Sequence, residues 1–366
     1  MKKTKVGIIG CGNISDAYFS TNRRFDFFEI LACADIDTSR AAEKAQKWGV
    51  STGCTVDELL QNSEVECVIN LTVPRAHAAV ARRCLQAGKS TYSEKPFALN
   101  REEARELIEL AARLGLRLGS APDTFLGGGH QTARKLIDDG AIGRPIGGSA
   151  FMVCHGHENW HPSPEFYYQP GGGPMFDMGP YYLTDLVQLL GPVNGVTGYA
   201  NKSFDRRTIT SQPLAGKVME VGIPTHLVGA LEFVNGAVIS LVMSFDVWAH
   251  RLPQLEIYGT EGSLFLPDPN GFGGPVKLQR AGEELQEMPL THGFTENSRG
   301  IGLADMVQAM RSGRDHRCNE RLAFHVLDVM QSFHESAAMG RRVELVSCCE
   351  RPAMLPTGLP TGKLDA

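Results

Sequence analysis

The chain has 366 residues, 42 % of them apolar and 21 % charged, with a formal net charge of −5. That length exceeds what one hydrophobic core usually organises, so two domains are expected in an ordinary globular composition. The acidic balance, with no run of Lys or Arg, excludes a nucleic-acid surface, and no apolar stretch reaches the length of a membrane span. The start Met-Lys-Lys-Thr-Lys leads straight into an apolar run, so no signal peptide and a cytoplasmic location are expected. Nine cysteines, an odd number without a Cys-x-x-Cys, read as reduced and mostly buried thiols.

Lys5-Val6-Gly7-Ile8-Ile9 reads as the first strand, followed by Gly10-Cys11-Gly12-Asn13-Ile14-Ser15 and a helix over 15–24. Glycines are needed there in a dinucleotide fold: Gly10 for the tight turn and Gly12 for close approach of the backbone to a pyrophosphate. The third glycine of that fingerprint is replaced by Ser15. A second apolar run, Glu29 to Ala34, ends in Asp35, about 20 residues past the loop, where a carboxylate can accept hydrogen bonds from the adenosine ribose. The same charge repels a 2′-phosphate, so NAD is expected rather than NADP, although Arg40 lies nearby.

Further strands are expected at 67–71, 90–93 and 117–120, with a helix opened by Asn100 and Glu103. Residues 1–122 therefore read as an α/β Rossmann domain with a doubly wound parallel sheet. After Pro122 the rhythm changes. Two alternating apolar runs flank Asn235-Gly236, the strongest short hairpin signal, and 255–266 looks like another strand pair. Helices are expected over 302–311 and 319–339, and the tail from Arg351 reads as a loose extension or a strap on a neighbour. Residues 123–366 thus form an α+β domain with a large, mainly antiparallel open sheet, for substrate binding and oligomerisation. Such a sheet leaves a face needing cover, so a homo-oligomer (dimer, tetramer or larger) is expected.

Glu94-Lys95-Pro96 sits at the carboxyl end of a parallel strand, on the edge where doubly wound sheets bind ligands. A lysine emerging there can reach a substrate hydroxyl, and the adjacent proline fixes its backbone. His155-Gly156-His157-Glu158-Asn159-Trp160-His161 offers imidazoles without a fixed Cys or Asp frame, so hydrogen bonding and stacking are expected there, not a metal. Trp160, Phe166, Tyr167 and Tyr168 suit a carbohydrate pocket, or equally a core or an interface.

With these residues the chain resembles the Gfo/Idh/MocA family of NAD(P)-dependent oxidoreductases, which includes glucose–fructose oxidoreductase and inositol dehydrogenases. The resemblance runs over essentially the whole chain. It is carried by the glycine loop, Asp35, Thr72-Val73-Pro74 with His77, Ala87-Gly88-Lys89 leading to Glu94-Lys95-Pro96, and Gly171-Gly172-Gly173 followed by Asp177-Met178-Gly179-Pro180-Tyr181. It implies that Lys95 is catalytic and that Thr72, Pro74 and His77 line the cofactor site beside Gly10, Gly12, Asn13, Ile14, Asp35, Glu94 and Lys95 itself. Tyr181 stands where inositol-dehydrogenase-like members have histidine; relatives of glucose–fructose oxidoreductase and dihydrodiol dehydrogenases carry tyrosine there. Thr184 replaces a second acid, with Asp185 one step out of register, and Pro122-Asp123-Thr124-Phe125 replaces a common Asn-Arg-Arg.

Alcohol oxidation needs a base for the hydroxyl proton as hydride leaves the carbinol carbon. Tyr181 beside a lysine ammonium fits that role with Lys95 steadying the oxyanion, and so does the reverse assignment. Asp177 orients one of them or caps the following helix. His155, His157, Trp160 and Tyr182 are the candidate substrate contacts. The resemblance implies a sugar, glycoside or cyclic polyol substrate, with glucoside C3 one such position. Two other functions fit the residues: an enzyme that retains and recycles NAD within its cycle, as in sugar–sugar oxidoreductases or NAD-dependent glycosidases, and a non-catalytic sensor of nucleotide or sugar.

Overall fold

The computed structural model describes residues 2–21, 23–360 and 362–365. The chain forms two compact units, one of Met1–Gly128, Thr291–Phe324 and Pro352–Ala366, the other of Gly129–Leu290 and His325–Arg351. A single cut near residue 122 was expected; instead the chain leaves the first unit and returns to it twice.

In chain order the first unit begins with β1 (Thr4–Ile9), α1 (Ser15–Thr21), β2 (Phe28–Ala34), α2 (Thr38–Trp48), β3 (Thr52–Cys54), α3 (Val56–Gln61) and β4 (Cys67–Asn70). It continues with α4 (His77–Gln86), β5 (Ser90–Ser93), α5 (Arg101–Leu114) and β6 (Leu118–Ser120). The helix expected over 15–24 ends at Thr21, and Asn22 lies outside the described residues. All six strands are parallel in the order β3-β2-β1-β4-β5-β6. Every residue of β4 and β5 is buried, as expected of parallel strands covered on both faces. Strand order reverses between β1 and β4, and at such a switch point the carboxyl ends of the strands frame a ligand crevice.

β6 is the edge of this sheet, and the returning chain covers it. Ser120 N donates to Cys318 O (3.1 Å), Gly119 bridges Asn319, and His316 Nε2 lies 3.1 Å from Leu118 O. An uncovered edge would present a row of unpaired backbone groups. The tail, expected to be loose, is packed on this unit: Leu355 and Leu364 are buried, and Arg317 donates to Ala353 O (3.0 Å).

The second unit follows from α6 (Gly128–Asp138), with β7 (Pro145–Val153), α7 (Gly173–Asp177), α8 (Gly179–Leu190), β8 (Val193–Asn201), β9 (Arg206–Thr208) and β10 (Val218–Glu220). Then come β11 (His226–Phe233), β12 (Val238–Ser244), β13 (Leu255–Gly259), β14 (Gly262–Leu266), β15 (Val276–Arg280) and β16 (Gln286–Met288). α9 (Ile301–Ser312), α10 (Glu320–Met339) and β17 (Val343–Glu344) complete the chain. Nine strands form one sheet, β16-β15-β14-β13-β7-β12-β11-β8-β17, antiparallel except for the β7–β12 pair. The hairpin at Asn235-Gly236 is the β11–β12 turn. Phe333 of α10 lies so close to this sheet that a Cβ at Gly198 would come within 2.5 Å of its ring, so only glycine fits there.

Candidate active site

On the first unit the loop after β1 is tied to the end of β2. Gly10 N donates to Ala34 O (2.8 Å), and Cys11 N donates to Asp35 Oδ2 (2.8 Å). Gly10 has φ 101°, and a Cβ there would lie 2.6 Å from the backbone C and O of Leu71. At Gly12 a Cβ would meet nothing within 4 Å, so the loop offers an open cradle where a pyrophosphate needs one. Ser15, in the place of the third glycine, is buried and donates its hydroxyl to Gly12 O (2.6 Å), which closes the turn. Asn13 and Ile14 stand exposed at its rim. Asp35 also accepts from Asp37 N through Oδ1 (3.0 Å), and Arg40 Nη1 lies 3.8 Å from that oxygen. Each carboxylate oxygen thus keeps capacity for a ribose hydroxyl. These residues fit a dinucleotide.

The loops after β4 and β5 are braced against each other. Thr72 Oγ1 donates to Asn70 Oδ1 (2.7 Å), and Pro74 opens a short turn before α4. His77 was expected to line the cofactor site; it is only 1 % exposed and works beneath it. Its Nδ1 lies 2.8 Å from Pro96 O and its Nε2 2.9 Å from Thr72 O. Burial pushes the imidazole towards its neutral form, which has one N–H for these two acceptors. Glu94 accepts from Tyr18 Oη through Oε1 (2.7 Å) and from Lys95 N through Oε2 (3.0 Å). The carboxylate therefore fixes the backbone from which half-buried Lys95 projects.

Asp123, just past β6, had no assigned role. It is buried and accepts from Gly300 N (2.7 Å) and Gly302 N (3.0 Å) at the start of α9, while burial raises it to about 6. The signal in the sequence was its departure from Asn-Arg-Arg: an acid in that place serves a neighbouring loop.

On the second unit His157 Nε2 lies 3.2 Å from Asp177 Oδ2. The imidazole is boxed edge-on by Tyr167 (4.3 Å), Phe245 (4.6 Å) and Trp160 (5.2 Å). Asp177 ends α7, with its carboxylate against the His157 ring, and Met178, at the N-cap of α8, makes no side-chain cap bond. Tyr181 lies in the first turn of α8 and is largely buried. Tyr182, a candidate substrate contact, is 1 % exposed with its hydroxyl donating to Phe151 O (3.4 Å); it is a core residue with no face left for a ligand. Asp185 is likewise interior, 2.9 Å from His130 Nδ1 and accepting from Gln188 Nε2 (2.9 Å). His155 stacks on Trp248, and Trp160 is 59 % exposed.

Beneath these aromatics lies an ion cluster absent from the sequence reading. Arg207 pairs with Glu158 and Asp246 and donates to Phe245 O (2.8 Å); Tyr168 Oη donates to Glu158, and Thr225 Oγ1 to Asp246 Oδ2 (2.7 Å). Removing one partner from a buried pair of this kind costs about 3–5 kcal/mol. The cluster therefore anchors the segment carrying His155 and His157. Among the described residues no group of three or more His, Cys, Asp or Glu could hold a metal ion, and no helix is long and apolar enough to cross a membrane.

A family model described as an oxidoreductase family with an NAD-binding Rossmann fold matches residues 4–121, and the GFO/IDH/MocA C-terminal domain matches residues 130–265. The chain belongs to the GFO/IDH/MocA family and is an NAD(P)-dependent dehydrogenase with an NAD-binding Rossmann domain. Among curated relatives it is 24 % identical over 369 residues to D-apiose dehydrogenase of Paraburkholderia graminis, covering 98 % of this chain and 94 % of that one. It is 23 % identical over 360 residues to D-glucoside 3-dehydrogenase of Escherichia coli, covering 93 % and 97 %. A levoglucosan dehydrogenase solved with NADH and L-sorbose shares the fold, with a TM-score of 0.81, 20 % identity and coverage of 95 % and 100 %.

Proposed function

We propose that the chain oxidises a secondary ring hydroxyl of a sugar, glycoside or cyclic polyol with NAD, and that glucosides, reacting at C3, are the first substrates to test. The observation that carries this reading is the set gathered along one sheet edge: the Gly10–Gly12 cradle, Asp35, and Lys95 held by Glu94. Its substrate class is supported by the full-length likeness to D-apiose and D-glucoside dehydrogenases.

NAD, when bound, supplies the hydride acceptor. Gly10, Gly12 and Asp35 hold it, with Asn13, Ile14, Thr72 and Pro74 at the rim, while His77 and Glu94 brace the loops from behind. Lys95 and Tyr181 divide the proton transfer: Tyr181 Oη or Lys95 Nζ takes the hydroxyl proton and the other steadies the alkoxide. Asp177 fixes the His157 ring so that one nitrogen stays directed at its carboxylate, leaving the pair to hydrogen-bond substrate hydroxyls.

The test is NADH absorbance across a panel of sugars, glycosides and inositols. Lys95→Ala should lower kcat by roughly 10² to 10⁴ while NADH affinity stays close to wild type. Turnover that survives the substitution removes Lys95 from the chemistry.

A further inference from the structure

The second unit carries another aromatic surface beside the His157–Asp177 pair. β7 and β12 are parallel neighbours, and their chains continue side by side past the strand ends: Cys154 N donates to Ser244 O (3.0 Å) and Val247 N to Cys154 O (3.0 Å). This register sets Phe245 against His157 and, further along, Trp248 against His155, with ring centroids 3.3 Å apart and planes at 16°. Phe204 meets the edge of His155 at 6.1 Å, and the Arg207 guanidinium lies 4.9 Å from the Phe204 ring.

One face of the Trp248 indole is sealed by the imidazole, yet the residue is 81 % exposed. The stack and the buried Arg207 cluster hold it ready, with its other face in water. His155 and His157 are two residues apart, no more than about 7 Å along the chain, which is the reach of one sugar unit and its linking oxygen. Gly156 between them has φ 79°, turning the two rings towards different partners. A stable subunit interface buries about 1,200 Å² or more around an apolar core, whereas the exposed apolar side chains here, Trp248, Phe204 and Leu252, are few and stand beside exposed His250 and Arg251. An apolar ring face with hydrogen-bonding side chains at its margin matches a pyranose, which has a C–H face and a hydroxyl edge.

We infer that the Trp248–His155 stack is the floor of a second sugar subsite, for a pyranose joined through a glycosidic oxygen to the ring being oxidised. The inference rests on the sugar-oxidising function proposed above.

The experiment compares kcat/KM for methyl glucoside, cellobiose and maltose in the wild type, Trp248→Ala and Trp248→Phe, with sedimentation of each protein. The wild type should prefer one of the disaccharides, and Trp248→Ala should lower the disaccharide-to-methyl-glucoside ratio by about tenfold, with Trp248→Phe retaining most of it. An unchanged ratio in an active enzyme, or equal losses on all substrates, overturns the subsite and leaves the proposed function standing. An altered subunit number in Trp248→Ala overturns it in favour of an interface. NADH binding without oxidation of any sugar overturns both.

Discussion

Adding a methyl group to the loop after β1 has opposite consequences at its two glycines. In Gly10→Ala the new Cβ sits at φ 101°, which costs an L-residue about 1–2 kcal/mol. It also lies 2.6 Å from Leu71 backbone atoms, which cannot rotate away, and overpacking of that kind costs about 1–3 kcal/mol. Lower unfolded-chain entropy returns about 0.4–1 kcal/mol, leaving a net loss of roughly 1–4 kcal/mol. In Gly12→Ala the methyl meets no atom of the chain, so stability should stay within about 0.5 kcal/mol. It enters the space a pyrophosphate needs, and losing one charge-assisted hydrogen bond, about 1.5–3 kcal/mol, weakens NADH binding by about tenfold or more. Thermal unfolding and fluorescence titration with NADH separate the two effects. A Gly12→Ala protein that melts early, or that binds NADH like the wild type, refutes the reasoning.

Asp35→Ser should shift the ratio of kcat/KM for NADP to that for NAD upward by about tenfold or more, since it removes the charge facing a 2′-phosphate and leaves Arg40 beside it. No shift in that ratio would take cofactor choice away from Asp35. For Asp123 the folded protein holds its proton up to about pH 6, above the ordinary carboxyl range, so its favourable contribution is full at low pH and fades as pH rises through 6. Asp123→Asn keeps an acceptor for Gly300 and Gly302 and should gain up to roughly 3 kcal/mol on the wild type between pH 4 and pH 8. A pH-independent difference in denaturant melts counts against this. Ending the chain at Arg351 removes buried Leu355 and Leu364, at about 2–5 kcal/mol each, and strips two backbone acceptors from Arg317. Its melting midpoint should fall by several degrees; an unchanged midpoint would mean the tail adds nothing.

The parts of the fold readable in the sequence are those whose cause is local. Gly10, the strand runs of the Rossmann sheet and the Asn235-Gly236 turn each announce themselves within a few residues. What stayed hidden depends on contacts far apart in the chain. Asp123 meets Gly300 and Gly302, Arg207 meets Glu158 and Asp246, and Leu355 is buried by segments whose approach no short pattern encodes. Site residues divide in the same way. The glycine loop and Asp35 stand together at the sheet edge, as their spacing implied, whereas nothing about the pair Tyr181-Tyr182 told that both rings would be buried, Tyr182 the more completely. His77 is a further case, since a motif can mark a position without saying whether its side chain touches a ligand or supports the loops around it.

The discontinuity of the first unit bears on how the protein is made. β6 leaves the ribosome early, but the residues that pair with its free edge, 316–319, are translated nearly two hundred positions later. At about 5–20 residues per second that interval lasts roughly 10–40 s. Throughout it the nascent Rossmann sheet carries an open edge, and Asp123 has a buried-to-be carboxyl with no loop to receive it. The Rossmann unit thus begins to emerge before the second unit and cannot be completed until that unit has been translated, which leaves the β6 edge open to mispairing for that interval.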